Sequence, residues 1–388
     1  MIKIFPPTIK EGKKECIIAA EFELEGRREE LWYRLPNEYK PYIVTEQLDA
    51  FVIALLFLGL KTGQDIKLMA PISSRLFYSI KHYIIDALCL VNSAYTKIKI
   101  IPTTLSTLDF NTRGVAGTGL SCGIDSFASY YDHLDDEKPY KIEYFTFFNV
   151  GSHGDFGGEK ARMIFKDRFE NVQTFASEVG REVITIDSNL SEILGMKFQE
   201  TYNLRTISCV LILQKLFKNY YYASGTRFDH FSFNKDEIAD LDMLLIPNLS
   251  TESTSIFVSA LKYSRIERTD LISRYSETYK YLDVCTHPFE KNRSYLNCSK
   301  CYKCKRTMLT LEALGKLDLY SGVFDVKRFR KEKYDYIGWL LSKEKKLTLD
   351  KELIIFLYSR NMINSKVHFY TIKNALFRQK MMLKKIFR

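Results

Sequence analysis

From Gly114 onward the chain repeats one pattern, an apolar run short enough for a strand followed by a longer amphipathic stretch. "GVAGTGLS", "IEYFTFFNV", "EVITID", "YYYASG" and "DMLLIP" read as strands. "DSFASYYDHL", "GEKARMIFKDRFENVQTFASEVG" and "LRTISCVLILQKLF" read as the helices between them. Apolar strands of this length alternating with helices predict an α/β fold with a parallel sheet covered on both faces. In such sheets ligands sit beyond the carboxyl ends of the strands. That rule singles out the loops over residues 119–126, 151–158 and 225–231.

The rest of the chain arranges itself around this core. Residues 1–112 read as an α+β domain with a hairpin around Gly26-Arg27-Arg28 and a buried helix from Thr45, a candidate N-cap, to Leu60. A second helix carries His82 and Cys89 among apolar neighbours, which favours packing over ligation. Residues 113–283 form the α/β core and 284–324 a cysteine-rich segment. Residues 325–388 form a helical tail with 17 Lys and Arg against 6 Asp and Glu. The tail holds all of the net charge of +10, a distribution that suits a solvated helical face or contact with phosphates. With 46% hydrophobic and 27% charged residues, the composition excludes long disordered tracts. The longest apolar run, Ala50 to Leu60, is too short to cross a bilayer, so no membrane partner is expected. The first residues lack the apolar core of a secretion signal, which predicts a cytoplasmic chain with reduced cysteines.

The stretch "GTGLSCGIDSFASYY" leads from the first core strand into a helix. Short side chains at Ser121, Gly123 and Ser126 let backbone N–H groups converge on an anion at a helix N-terminus. Asp125 is placed to cap that helix or to help hold Mg²⁺. The spacing fits neither G-x-x-x-x-G-K-[ST] nor G-x-G-x-x-G, and small residues at a strand-to-helix turn also arise for steric reasons alone. Cys122 fits such a loop if its φ is negative and is costly there if φ is positive.

Four of the eight cysteines fall between residues 285 and 304. Cys298, Cys301 and Cys304 form C-x₂-C-x₂-C, with Cys285 upstream. In a reduced chain four thiolates supply a tetrahedral Zn²⁺ site; iron–sulfur ligation and redox use are the competing readings. His287 is a weaker alternative ligand.

The loop Ser121 to Ser126 resembles the S-G-G-x-D-S loop of the PP-loop ATP pyrophosphatases, with Cys122 in place of a glycine. Joined to the four cysteines, it resembles the 7-cyano-7-deazaguanine synthase group over about Val115 to Leu317. "NVGSHGDFGGEKAR", "YNLRT", "YYYASGTRFDHFSF" and "LIPNLSTESTSIFVSAL" look like that group's later segments. The resemblance implies an ATP-dependent, AMP- and pyrophosphate-forming ligase that converts a deazaguanine-like acid to an amide or nitrile with ammonia or another amine. It implies that Ser121, Cys122, Gly123, Asp125, Ser126, Arg205 and Gly225 contact the nucleotide, with Asp125 and Arg205 as catalytic groups and Arg205 as the phosphate cation. His153 and Asp155 would line the substrate pocket. ATP and Mg²⁺ would be used at the loop, and Zn²⁺ would be structural. The added N-terminal domain and basic tail suit a larger acceptor, a protein terminus or a nucleic acid, and a homodimer is compatible with such a chain. A tRNA thiolase of the PP-loop type and a catalytically retired nucleotide-binding protein are the alternative classes.

Overall fold

The computed structural model describes residues 1–233, 238–286, 294–343 and 347–386. The chain divides into two compact units. The first comprises Met1–Ser121 with Ser129–Lys262, and the second Cys122–Ala128 with Tyr263–Arg388.

The first unit is built on one sheet of eleven strands. In chain order these are β1 (Ile2–Ile4), β2 (Thr8–Glu11), β3 (Glu15–Leu24), β4 (Arg27–Pro36), β5 (Ile66–Leu68) and β6 (Ile100–Ile101). The parallel part follows as β7 (Val115–Gly119), β8 (Ile142–Asn149), β9 (Glu182–Ser188), β10 (Phe217–Ala223) and β11 (Ser255–Ser259). The order across the sheet is β11-β10-β7-β8-β9-β4-β3-β1-β5-β6, with β2 on β3. The fold is thus α/β with a mostly parallel central sheet. Counting the five parallel strands alone, their order is 5-4-1-2-3, which reverses at β7. That reversal is the position at which open α/β sheets leave a crevice at their carboxyl ends.

Residues 1–112 and 113–283, read from the sequence as separate domains, share this sheet, because β9 pairs antiparallel with β4 through Asp187–Arg34 and Ser188–Tyr33. The hairpin β3–β4 forms in full register from Glu15–Pro36 to Leu24–Arg27, turning at Glu25 and Gly26. The apolar helix covers Asp49–Thr62, four residues beyond the expected cap at Thr45, and is buried from Asp49 to Leu60. An all-round apolar helix has no solvent face to present, so it must lie inside. It packs against the helix Tyr202–Ile212. His82 is on the surface, its ring 4.5 Å from that of Tyr78, rather than packed inside as its neighbours suggested.

One expected strand is corrected. "DMLLIP" forms a helical turn, Asp242–Leu245, and a 3₁₀ turn, Pro247–Leu249; the fifth parallel strand is Ser255–Ser259. A four-residue apolar run carries no period that separates strand from helix. Pro247 cannot donate to a ladder. The Asp242 carboxylate is drawn inside by a 2.8 Å hydrogen bond from the Ser224 hydroxyl.

The second unit is helical: Arg265–Ile272, Tyr302–Ala313, Val326–Ser342, Thr348–Ser359 and Ser365–Ile386 are its main elements. The expected helical tail is therefore present. Gly338 allows its first and last helices to touch, since a Cβ there would lie 2.7 Å from the backbone of Tyr370. No helix among the described residues is long and apolar enough to cross a membrane.

Candidate metal centre and phosphate loop

The sulfurs of Cys285, Cys298, Cys301 and Cys304 all lie within 4.8 Å of one another. Sγ of Cys304 is 3.8 Å from that of Cys298 and 3.3 Å from that of Cys301. Thiolates around a tetrahedral zinc at about 2.3 Å stand about 3.8 Å apart, so the donor set and its spacing fit this ion. The local backbone is already folded for ligation. Cys301 N–H donates to Cys298 Sγ and Cys304 N–H to Cys301 Sγ, at 3.3 and 3.5 Å. Cys301 thereby caps the helix Tyr302–Ala313. Mutual hydrogen bonding, with Cys285 the largest influence on both, pushes the thiols of Cys301 and Cys304 up. A divalent cation supplies the charge that allows such crowded thiols to ionise. His287 lies outside the described residues.

Asn297, buried, places the first cysteine. Its amide donates to the Leu282 carbonyl at 2.7 Å, and its Oδ1 accepts the Val284 N–H at 2.9 Å, fixing the arm that carries Cys285. Its own N–H donates to the Val323 carbonyl at 3.1 Å. In the sequence nothing but its nearness to Cys298 marks Asn297.

The loop joins the first unit to the second between Ser121 and Cys122. Ser121 is exposed, two residues beyond the end of β7. Cys122 is fully buried and has φ of 55°, in the left-handed region. This is the conformation in which a glycine is free and a side chain costs about 1–2 kcal/mol. The loop therefore keeps a glycine's geometry with a cysteine in it. Burial, and then the Asp283 charge, raises the Cys122 thiol well above its ordinary value, so it stays neutral and unreactive. Its carbonyl accepts the Asp283 N–H at 2.9 Å. At the start of the helix Ile124–Asp132, Gly123 N–H donates to Ser126 Oγ at 3.1 Å and Phe127 N–H to the Gly123 carbonyl at 3.0 Å.

Asp125, in the first turn of that helix, is held by two arginines of the second unit. Arg268 Nη1 lies 2.7 Å from Oδ1 and Arg265 Nη2 3.0 Å from Oδ2. Burial works to raise the Asp125 carboxyl; the Arg265 and Arg268 charges overcome it and hold it below its usual range. Lys303 adds to this field, and Arg306 presses on both Arg265 and Lys303. The arginines come from one helix, whose start at Ser264 is a capping box with Glu267. That S-x-x-E spacing is visible in the sequence and marks the helix start, though not what its arginines face.

Arg205 is in the first unit and 1% exposed. Its guanidinium donates to the carbonyls of Val150, Asp155 and Met196 and to the Ser191 hydroxyl, at 2.8–3.2 Å. Burial lowers its pKa to about 10. Gly151, φ 123°, makes room for it, since a Cβ there would lie 2.6 Å from Arg205 Nη1. Arg205 thus ties down the 151–158 loop. Asn203 is buried beside it and accepts the Leu204 N–H. His153 is packed against Phe147 and Phe165, and burial drives its pKa down to about 3, so it stays neutral. Asp155 Oδ1 accepts the Phe198 N–H at 3.2 Å. Gly225 is exposed in the turn after β10.

Compared with family models, with curated proteins and with solved structures, the chain matches none.

Proposed function

We propose that the chain is an ATP-dependent ligase that releases AMP and pyrophosphate, resembling the 7-cyano-7-deazaguanine synthases in its reaction. The observation that carries this reading is the place of the Ser121–Ser126 loop: it follows the first parallel strand, where the strand order reverses and phosphates dock in such sheets. The four-cysteine cluster supports it, as does the left-handed Cys122, which keeps the backbone shape of a glycine.

In the proposed reaction a carboxylate oxygen of the acid attacks the α-phosphate of ATP, and pyrophosphate leaves with the electrons of the broken P–O bond. Ammonia then attacks the acyl carbon, loses a proton and displaces AMP, giving the amide. The amide oxygen then attacks the α-phosphate of a second ATP and pyrophosphate leaves as the nitrogen gives up one proton; loss of the second N–H proton expels AMP with that oxygen and leaves the nitrile. The loop's contribution is N–H donors at a helix start, and Arg265 and Arg268 supply the cations nearest to it. A Mg²⁺ ion would screen the phosphates, but both Asp125 oxygens are engaged by guanidinium groups, so Asp125 as it stands does not fit a Mg²⁺ ligand. Zinc on the four thiolates would clamp the helix Tyr302–Ala313. The basic helices after residue 325 favour a large anionic acceptor.

The test is pyrophosphate release from ATP and Mg²⁺ with 7-carboxy-7-deazaguanine and ammonia, against a panel of other acids. Release with the deazaguanine acid supports the reading. Release with another acid moves the substrate, and ATP binding without turnover on any acid overturns the ligase assignment in favour of a retired site.

A further inference from the structure

Away from the loop and the thiols, the first unit brings together a hydroxyl, an imidazole and a carboxylate. Ser259 closes β11, the edge strand of the sheet, and its Oγ lies 3.0 Å from Nε2 of His133. Nδ1 of His133 lies 2.7 Å from Oδ2 of Asp136. A carboxylate only accepts, so Nδ1 carries the proton and Nε2 is left to accept the Ser259 hydroxyl. Tyr221 of β10 sets the ring plane from a third side, stacked on His133 at 3.8 Å between centroids and 23° between planes. A hydroxyl on a base that a third group orients is the arrangement of an activated nucleophile. Ser259 is itself buried, whereas the side chains of His133 and Asp136 are 19% and 38% exposed, so the group opens to solvent on the imidazole side. The residue after Ser259, Ala260, has φ of 61°, a left-handed backbone that a non-glycine residue adopts at a cost and that gathers at functional turns.

Side chains two residues apart on a strand share a face, which puts Phe257 on the face of Ser259. The Phe257 ring is 5.9 Å from that of Tyr221 and 6.4 Å from that of Tyr140, and both Phe257 and Tyr140 are exposed. An exposed aromatic wall beside a buried hydroxyl suits a planar aromatic group against the wall and a small acyl group at the hydroxyl. We infer that Ser259, His133 and Asp136 form a hydrolytic site for aryl esters of short acids, with Ser259 as nucleophile, His133 as general base and acid, and Asp136 as the residue that positions the imidazole. Nε2 of His133 takes the hydroxyl proton as Oγ attacks the ester carbonyl carbon, and the carbonyl π pair moves onto its oxygen. That pair returns, the C–O bond to the aryl oxygen breaks with its electrons, and the imidazolium proton goes to the leaving aryl oxygen. Water then attacks the acyl-serine carbonyl and gives a proton to Nε2, and Oγ leaves, recovers that proton and frees the acid. The reaction consumes water and no ATP, so it stands independently of the ligase reading.

The test uses the full chain without ATP. It is treated with a fluorophosphonate probe, the labelled peptide is located by mass spectrometry, and p-nitrophenyl acetate hydrolysis is followed in parallel. The expected adduct is on Ser259, a result that needs no variant. Ser259→Ala and His133→Gln should each lower kcat/KM at least about 100-fold, and Ser255→Ala, on the same strand face, should stay within about twofold. Circular dichroism verifies that each variant is folded. Asp136→Asn should lower the rate at least about tenfold and move its rise with pH to lower pH, because the carboxylate that favours the imidazolium is gone. Phe257→Ala should raise KM more than it lowers kcat. Absence of a Ser259 adduct overturns the inference, and so does hydrolysis that persists in Ser259→Ala, the behaviour of a bare imidazole. A pH profile unmoved in Asp136→Asn makes the three groups a structural hydrogen-bond chain and overturns it equally. KM unchanged in Phe257→Ala overturns the aryl-ester assignment.

Discussion

Arg205 in the first unit and Arg268 in the second are equally buried, at 1% exposure, and the two units neutralise them in opposite ways. Arg205 is surrounded by carbonyls and a hydroxyl, dipoles fixed by the backbone, and among the described residues it has no ion pair. Arg268 faces the Asp125 carboxylate at 2.7 Å. The aspartates show the same contrast. Asp49, fully buried in the first unit, accepts hydrogen bonds from the Ser73 N–H and from the amides of Gln214 and Gln47, all neutral donors. Its pKa is raised to about 7, by burial above all. Asp125, between two guanidiniums, is held below the usual range. Charge met by dipoles makes a rigid scaffold. Charge met by charge ties the start of the helix Ile124–Asp132 to the helix Arg265–Ile272 through ion pairs.

The largest effect expected from this contrast concerns the metal. Thiolate-bound zinc contributes on the order of 10 kcal/mol in small domains. Chelation should therefore loosen the second unit and leave the sheet of the first intact. Hydrogen exchange checks this: protection should fall over Tyr302–Ala313 and hold over β7 to β10. Equal loss in both units would break the comparison.

The next effect is a pH dependence. Because the folded pKa of Asp49 lies above its unfolded value, the native state binds the extra proton. Stability from this group is full at low pH, declines as pH rises through the interval up to about 7, and is flat above that. A shift of that size corresponds to at most about 4 kcal/mol. Denaturant unfolding at about pH 5 and about pH 8 should differ less in Asp49→Asn than in the parent chain. Asp125 has the opposite sign, losing its contribution only as pH falls below the ordinary carboxylate range, so Asp125→Asn should leave that interval unchanged.

Arg205→Met leaves three carbonyls and a hydroxyl without a donor and should destabilise the first unit by about 3 kcal/mol. Arg205→Lys should recover little of it, since an ammonium cannot span those acceptors. If Arg205→Met instead left stability intact and abolished pyrophosphate release, the scaffold role would be wrong and the phosphate role restored. The smallest effect is at the loop. Cys122→Gly relieves a left-handed side chain worth about 1 kcal/mol, less what the buried thiol contributes, whereas Cys122→Val places a β-branched residue at φ of 55°. Thermal unfolding should rank Gly at or above the parent and Val below it.

Much of the scaffold was legible in the sequence. The alternation from Gly114 encodes burial on both faces, so four of the five core strands and the helices between them can be read directly. The fifth is not legible, because "DMLLIP" is apolar without period, and Pro247 and the buried Asp242 turn it into helical turns. The four-thiol cluster that could hold a metal was equally legible, because Cys298, Cys301 and Cys304 fall within one turn and one helix start and Cys285 stands a short way upstream. The cation cluster was not. Arg265 and Arg268 stand about 140 residues from Asp125 in the chain, and nothing in their own neighbourhood says that they face a carboxylate.

The sequence by itself determined the periodic core, the small-residue loop and the four clustered thiols, because each depends on residues close together in the chain. Tertiary structure alone decided the partners of the buried charges. Desolvation depends on what surrounds a group in space, so only the fold could give Arg205 carbonyls and Arg268 an aspartate. It alone decided the backbone of Cys122 as well. A positive φ is imposed by the turn that the loop must make, and the residue's identity shows only that this turn is strained.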